Sequence, residues 1–323
     1  MQMAQQRVVL TRRMPPPAAD LLRAADYAVD VIDRDDPAPR DEFLAHLPGV
    51  AGAITMLSDR VDAEALEAAG PQLRVIANYA VGFDNVDLEA CRQRGVRVTN
   101  TPGVLTAATA DLTWALILAA GRNIVAGDRL MRAGGWPGWI PTQLLGLQLS
   151  GAVLGILGAG RIGSAVARRA LGFGMRVLYT DRSANPDMET ATGATRVELD
   201  RLISESDVLS LHIPMAPAHH HLIGAAELAA MKPTAILINT ARGPIIDEAA
   251  LVEALRTGRP AAAGLDVYEH EPRLAPGLAE LPNVVVLPHL GSATTATRQK
   301  MSQMAAENLL AVLSGREPPN PVV

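Results

Sequence analysis

An α/β fold with two doubly wound parallel sheets is predicted for this chain by three observations. Short apolar runs alternate with helical patterns through residues 1–100 and again through 151–289. Strands joined by helical crossovers give that alternation. The second series opens on Gly158-Ala159-Gly160-Arg161-Ile162-Gly163, a G-x-G-x-x-G spacing between an apolar run and a helical pattern. At 323 residues the chain is long enough for two separate cores.

In the first series, strands are expected at 8–10, 29–32, 51–55, 74–77 and 96–98. A helix opens at Pro15 to Pro17 and ends near Ala25, and another spans 62–69. Thr101-Pro102-Gly103 then breaks the pattern. One long helix is expected over 106–122, with Leu112, Ala115, Leu116 and Ala119 on one face. Glycine and proline are too dense in 134–141 for regular structure, so Trp136 and Trp139 lie in a loop. Six further strands are expected at 152–157, 175–179, 207–211, 234–238, 261–265 and 284–287. With a fingerprint on the first, they predict a Rossmann domain. A last helix over 294–313 buries Met301, Met304, Ala305, Leu309 and Val312.

Composition narrows the function. Hydrophobic residues make up 49%, charged residues 20%, aromatics only 3%, and the formal net charge is −5. No cluster of lysine and arginine tracks a phosphate backbone, so nucleic acid is not an expected partner. The single cysteine, Cys91, permits no internal disulfide and fits a reducing, cytoplasmic compartment. It sits in no nucleophile motif and reads as a thiol on a helix face. The polar N-terminus and the short 8–10 run suggest no leader peptide, and no apolar run reaches membrane-spanning length.

The fingerprint points to a dinucleotide. Gly158 allows a tight turn, Gly160 lets the backbone approach a pyrophosphate, and Gly163 lets the helix pack on its strand. Free N–H groups at the helix start, about Arg161 and Ile162, then face the phosphates. Asp181 stands 18 residues beyond Gly163, at the end of the next strand. Its carboxylate suits the ribose hydroxyls of NAD and repels the 2′-phosphate of NADP. Arg182 works the other way, so NAD is the expected cofactor with NADP possible.

Three polar residues follow strands of the second series: Arg242, Glu271 and His289. Ligands of open α/β sheets gather outside the carboxyl ends of the strands, so the three can converge on one crevice. A guanidinium, a carboxylate and an imidazole there suit reduction of an anionic carbonyl compound. The run His219-His220-His221 hints at metal. Adjacent side chains point in different directions, so no metal site is expected.

The stretches Asn239 to Gly243, Leu265 to Pro272 and Leu287 to Thr294, with the central fingerprint and Asn78 to Asn85, resemble the D-isomer-specific 2-hydroxyacid dehydrogenase family. Within it, Ala80-Val81-Gly82, Gly134-Gly135-Trp136 and Gly291 to Thr294 with Arg298 are most similar to the glyoxylate/hydroxypyruvate reductases. The resemblance implies a Rossmann cofactor domain, 103–290, inserted into a flavodoxin-like substrate domain of 1–102 plus 291–323. Chain crossings at about Pro102 and Leu290 would act as a hinge beside an interdomain cleft. It implies that His289 protonates the substrate carbonyl oxygen, that Glu271 holds its imidazole, and that Arg242 binds the carboxylate and polarises the keto group. Val81 and Gly82 would cradle the same carboxylate, with Ser292 and Arg298 also at the substrate. Thr109, His212, Pro214, Thr240, Ala241, Asp266 and Gly291 would line the cofactor. A homodimer is implied, with Trp136 and Trp139 as contact residues.

Two departures stand out. Residue 143 is Gln where some reductases of this branch carry a further aromatic, and Asp181 departs from the pattern of NADP-selective relatives. The expected function is NAD(P)H-dependent reduction of small 2-oxo acids, glyoxylate and hydroxypyruvate first. The alternatives are another dehydrogenase of the family, acting on phosphoglycerate, an aryl pyruvate or phosphite, or a nucleotide-sensing, co-repressor-like protein.

Overall fold

The computed structural model describes residues 5–323; residues 1–4, part of the polar N-terminus discussed above, lie outside them. The chain divides into two compact units, Met1–Leu105 with Ala293–Val323, and Thr106–Ser292.

The first unit is built on strands β1 (Arg7–Leu10), β2 (Ala28–Val31), β3 (Gly52–Thr55), β4 (Val75–Asn78) and β5 (Arg97–Thr99). They pair in parallel in the order β2-β1-β3-β4-β5, the flavodoxin-like order. Every residue of β3 and β4 is buried, which explains their unbroken apolar runs: helices cover both faces of a parallel sheet. The first helix spans Ala18–Ala24, with Pro17 as the residue before it, shorter than expected. The C-terminal helix, Thr295–Leu313, covers the strands of this unit. Gly52 lies directly under Leu309. Ser302 Oγ receives a hydrogen bond from Ala18 N at 3.0 Å and donates to the Pro15 carbonyl at 2.5 Å. Thr294 caps the helix by accepting from Thr297 N. Cys91 is fully buried here, and burial pushes its thiol up to about 11, so it is a packing residue.

The second unit carries β6 (Val153–Leu157), β7 (Arg176–Thr180), β8 (Thr195–Arg196), β9 (Val208–Leu211), β10 (Ile236–Asn239), β11 (Ala262–Leu265) and β12 (Val284–Val286). All are parallel, in the order β12-β11-β10-β9-β6-β7-β8. This is the doubly wound Rossmann arrangement, with the reversal of strand order beside β6. It has seven strands, not the expected six. The missed one, β8, is two exposed residues long and has no apolar run to mark it.

The helix expected over 106–122 spans Thr106–Gly121. Asn123 then turns left-handed at φ 53°, and a further helix that the sequence reading did not place, Ile124–Arg132, follows. Of Leu112, Ala115, Leu116 and Ala119, expected on one face, only Leu116 is fully buried. The first helix is covered on two sides, by β10 and β11 and by the fingerprint helix Arg161–Ala170, so burial spreads to Thr109, Thr113, Trp114, Ile117 and Ala120. Trp114 donates to the Val166 carbonyl at 3.1 Å and stacks on Phe173 with centroids 4.3 Å apart. Among the described residues no helix is long and apolar enough to cross a membrane.

Candidate active site

The fingerprint occupies the turn between β6 and its helix. Gly158 adopts φ +100°, and a Cβ there would stand 2.7 Å from the His212 backbone. A Cβ on Gly163 would meet the Gly158 carbonyl oxygen at 2.0 Å, whereas above Gly160 nothing lies within 4 Å. The first and third glycines thus close the turn, and the second leaves open space above the backbone. No side chain caps the helix, which starts at Arg161 and Ile162. Its first N–H groups and dipole therefore face that space. Asp181 ends β7 with its carboxylate held beside the turn. Its oxygens accept from Ala159 N and Arg182 N, each at 2.7 Å. An ionised carboxylate has about four acceptor positions, so two remain. Arg182 is exposed next to it. An uncapped helix start, an open face and a spare acceptor fit a dinucleotide.

His212 and Pro214 follow β9, next to β6 in the sheet. Ser210 Oγ is 2.8 Å from His212 Nε2. Burial pushes this imidazole down to about 3, so it is neutral around pH 7. Its part is that of a neutral wall.

The polar turns after β10, β11 and β12 are tied to one another. Asn239, the last residue of β10, receives a hydrogen bond from Ala241 N at 3.0 Å and donates to the Arg242 carbonyl at 2.9 Å. Arg242 Nη1 donates to the Ala241 carbonyl at 2.8 Å. Gly243 then presses on the next loop so closely that a Cβ would lie 1.8 Å from the Tyr268 carbonyl carbon. That contact brings the Arg242 turn against the segment that carries Glu271. The buried Glu248 fixes this segment by accepting from Glu269 N at 2.8 Å. Tyr268 Oη ties it to β12 through the Leu287 carbonyl at 2.7 Å.

His289 sits in the turn after β12 at φ 54°, a left-handed conformation that costs a non-glycine residue about 1 kcal/mol or more. Asp266 holds the turn in place. Its backbone carbonyl accepts from His289 N at 3.0 Å, and its carboxylate accepts from Leu290 N at 2.6 Å and Gly291 N at 2.8 Å. Burial pushes the Asp266 carboxyl up, against the pull of these N–H groups and of His289. Thr109 Oγ donates to the Gly291 carbonyl at 3.0 Å; the Thr113 hydroxyl donates to the Thr109 carbonyl at 2.8 Å and lies 2.9 Å from the Thr240 hydroxyl. Thr109 and Thr240 are therefore part of the internal bracing of the site.

Glu271 Oε2 lies 3.0 Å from His289 Nδ1, and Glu271 Oε1 accepts from Tyr268 N at 3.2 Å. Burial works to raise the Glu271 carboxyl. The hydrogen bond and charge of His289, with Arg242 contributing, more than offset it and leave it lowered. An ionised carboxylate only accepts, so Nδ1 of His289 carries a proton. Nε2 is left to face outward, and 33% of the side chain is exposed. The arrangement can deliver a proton from Nε2 while the carboxylate steadies the ring.

In the first unit, loop 78–85 is stretched between amide side chains. Asn78 Nδ2 donates to the Gly82 carbonyl at 2.9 Å, Asn100 Nδ2 to the Val81 carbonyl at 2.7 Å, and Thr101 N to the Ala80 carbonyl at 2.8 Å. In a trans peptide the N–H points opposite to the carbonyl. Holding the Ala80 and Val81 carbonyls therefore turns the N–H groups of Val81 and Gly82 the other way, as a pair of donors. Arg298 belongs to this unit and Ser292 to the other. Tyr79 Oη donates to the Arg298 carbonyl at 2.7 Å.

Sequence reasoning gave no role to Asn100, Gly243, Glu248 and Tyr268, each of which acts through a contact distant in sequence or through backbone shape, nor to Asn239, whose side chain ties its own turn. In the histidine run, the expected divergence of adjacent side chains does not hold for one pair. His220 and His221 do not splay apart: their rings stack with centroids 4.0 Å apart, and Glu269 joins them.

Residues 114–291 match the model of the D-isomer specific 2-hydroxyacid dehydrogenase, NAD binding domain. The chain is 49% identical over 324 residues to a glyoxylate reductase of Aeropyrum pernix, covering 98% of this chain and 96% of that protein. It is 46% identical over 318 residues to a glyoxylate reductase of Thermococcus litoralis, covering 97% and 96%. A solved structure of a protein from Thermus thermophilus matches with TM-score 0.92 at 52% identity, covering 98% of this chain and all of that one. An NADPH-dependent glyoxylate/hydroxypyruvate reductase from Sinorhizobium meliloti, solved with NADP and malonate, matches with TM-score 0.86 at 34% identity over 99% and 97% of the chains. Motifs, sheet topology and relatives agree: this chain belongs to the D-isomer-specific 2-hydroxyacid dehydrogenase family.

Proposed function

We propose that the protein is a glyoxylate reductase that also accepts hydroxypyruvate, with NADH as preferred reductant. The carrying observation is the pair His289 Nδ1 to Glu271 Oε2 at 3.0 Å, in a turn held by Asp266. The relatives that bear the reductase name span nearly the whole chain, which supports the substrate class.

The fingerprint turn, the helix start at Arg161 and Ile162, and Asp181 would hold the dinucleotide, with His212, Pro214, Thr240, Ala241 and Gly291 nearby. When bound and reduced, the nicotinamide supplies a hydride to the keto carbon. The electron pair of the carbonyl moves to its oxygen, and His289 Nε2 gives that oxygen a proton. Glu271 stabilises the imidazolium before transfer and fixes the ring that donates. Arg242 binds the substrate carboxylate and draws electron density toward the keto oxygen. The N–H groups of Val81 and Gly82 offer the carboxylate two more donors, and Ser292 and Arg298 complete the substrate residues. In this reading Met1–Leu105 with Ala293–Val323 is the substrate domain and Thr106–Ser292 the cofactor domain.

A homodimer belongs to the same proposal. No residue of the helix Ile124–Arg132 is buried. Ile124, Met131, Trp136, Trp139 and Leu145 all lie exposed between 124 and 145, Trp139 by 81%. An apolar surface of that kind suits a second copy. A cytoplasmic location is supported by a lone, buried cysteine.

The test is a panel of 2-oxo acids offered with NADH and with NADPH, followed by nicotinamide absorbance. Fastest turnover of glyoxylate with NADH is expected. Silence across the panel with both cofactors contradicts the proposal, and equal efficiency with both removes the role given to Asp181.

A further inference from the structure

The turn between β9 and β10 carries a constellation that the proposed reaction does not use. His221 adopts φ 52°. In extended backbone, neighbouring side chains leave on opposite sides; here the bend stacks the His220 and His221 rings with planes 27° apart. Glu269 reaches the same point from the loop after β11, its Oε1 lying 2.7 Å from His221 Nε2. One nitrogen of each imidazole and one oxygen of Glu269 lie within 4.8 Å of one another. The other nitrogen of His221, Nδ1, faces Asp247 Oδ2 at 3.9 Å. A carboxylate behind the far nitrogen is the usual support of a metal-binding imidazole.

We propose that His220, His221 and Glu269 form a binding site for a divalent transition-metal ion, zinc above all, with a fourth position left to water. Two imidazoles and one carboxylate are a zinc donor set. Calcium and magnesium demand more oxygen ligands than this group offers. Bonds of about 2.0–2.1 Å in a tetrahedron place donor atoms about 3.4 Å apart. The exposed His220 ring closes the remaining distance by rotating. In the metal-free protein a proton joins His221 Nε2 to Glu269. Zinc takes its place on Nε2, and the ring, neutral as a ligand, carries its proton on Nδ1 instead. The ion would then link the turn after β9 to the loop that carries Glu271, two residues beyond Glu269, and stiffen it. The inference is independent of the reductase reading, which uses none of the three ligands.

The experiment titrates untagged, chelator-stripped protein with zinc chloride by calorimetry. Cobalt(II) serves as a coloured probe. One zinc ion per chain is expected, and cobalt is expected to give the intense visible bands of a four-coordinate centre. His220→Ala and Glu269→Gln should each weaken binding by at least about tenfold and abolish those bands. His46→Ala and His289→Ala should retain both signals. His220 is exposed, so its variant is expected to fold; unchanged circular dichroism confirms it. Substoichiometric binding, wild-type affinity in His220→Ala, or loss of binding in His289→Ala overturns the proposal.

Discussion

Loop 78–85 of the first unit and the turn 287–291 of the second are both given substrate groups in the proposed reaction, and they are made of opposite materials. The loop is held by neutral amides: Asn78, Asn100 and the Thr101 N–H fasten carbonyls and so aim N–H groups. The turn is held by carboxylates: Asp266 grips its backbone and Glu271 its imidazole. Neutral donors can bind a carboxylate in substrate and transition state alike, which lowers KM without raising kcat. Ionised groups around a proton donor act where charge changes during the reaction, which raises kcat. In the proposed reaction, binding thus falls to the loop and chemistry to the turn.

Substitutions sharpen or break that contrast. His289→Ala should have the largest effect, a loss of about 10²–10⁴ in kcat, read from steady-state glyoxylate reduction. Arg242→Ala should lower kcat/KM by about 10²-fold, as expected for a lost charge-assisted contact, and Arg242→Lys should restore only part of it. Asn100→Ala should raise KM about fivefold, one hydrogen bond's worth, with kcat nearly unchanged. A fall in kcat as large as for His289→Ala would end the distinction between loop and turn. Smallest is a stability effect at His212. Its pKa falls from 6.5 to about 3 on folding, so its contribution is complete above pH 6.5 and lost as pH falls toward 3. Urea titrations between pH 7 and 5 should show wild type losing stability on acidification more steeply than His212→Gln. Parallel slopes would mean the ring is not desolvated.

The legibility of the two regions differs in the same way. The fingerprint and Asp181 could be read because strand, turn and helix are consecutive, and each glycine answers a local steric demand. Arg242, Glu271 and His289 could be read because each follows a buried strand whose carboxyl end is predictable. Their supports could not. Asp266 reaches Leu290 and Gly291 across 24 and 25 residues. Glu248 holds Glu269 across 21. Asn100 holds Val81 across 19. Such partners are fixed by sheet order, which no local pattern encodes. Helix 106–121 was legible in extent but not in burial: an apolar stripe assumes one covered face, and this helix has two. The histidine run misled because a single left-handed residue, His221, reversed the expected side-chain directions.

In the proposed reaction Nε2 of His289, with the ring held by Glu271, gives the proton. Single-turnover stopped flow tests it most directly. Enzyme in excess over NADH is mixed with glyoxylate, and nicotinamide absorbance is followed for wild type and His289→Ala, with NADH affinity measured separately. The account predicts a decay at least about 10²-fold slower in the variant, with NADH binding unchanged. A decay at the wild-type rate would contradict it.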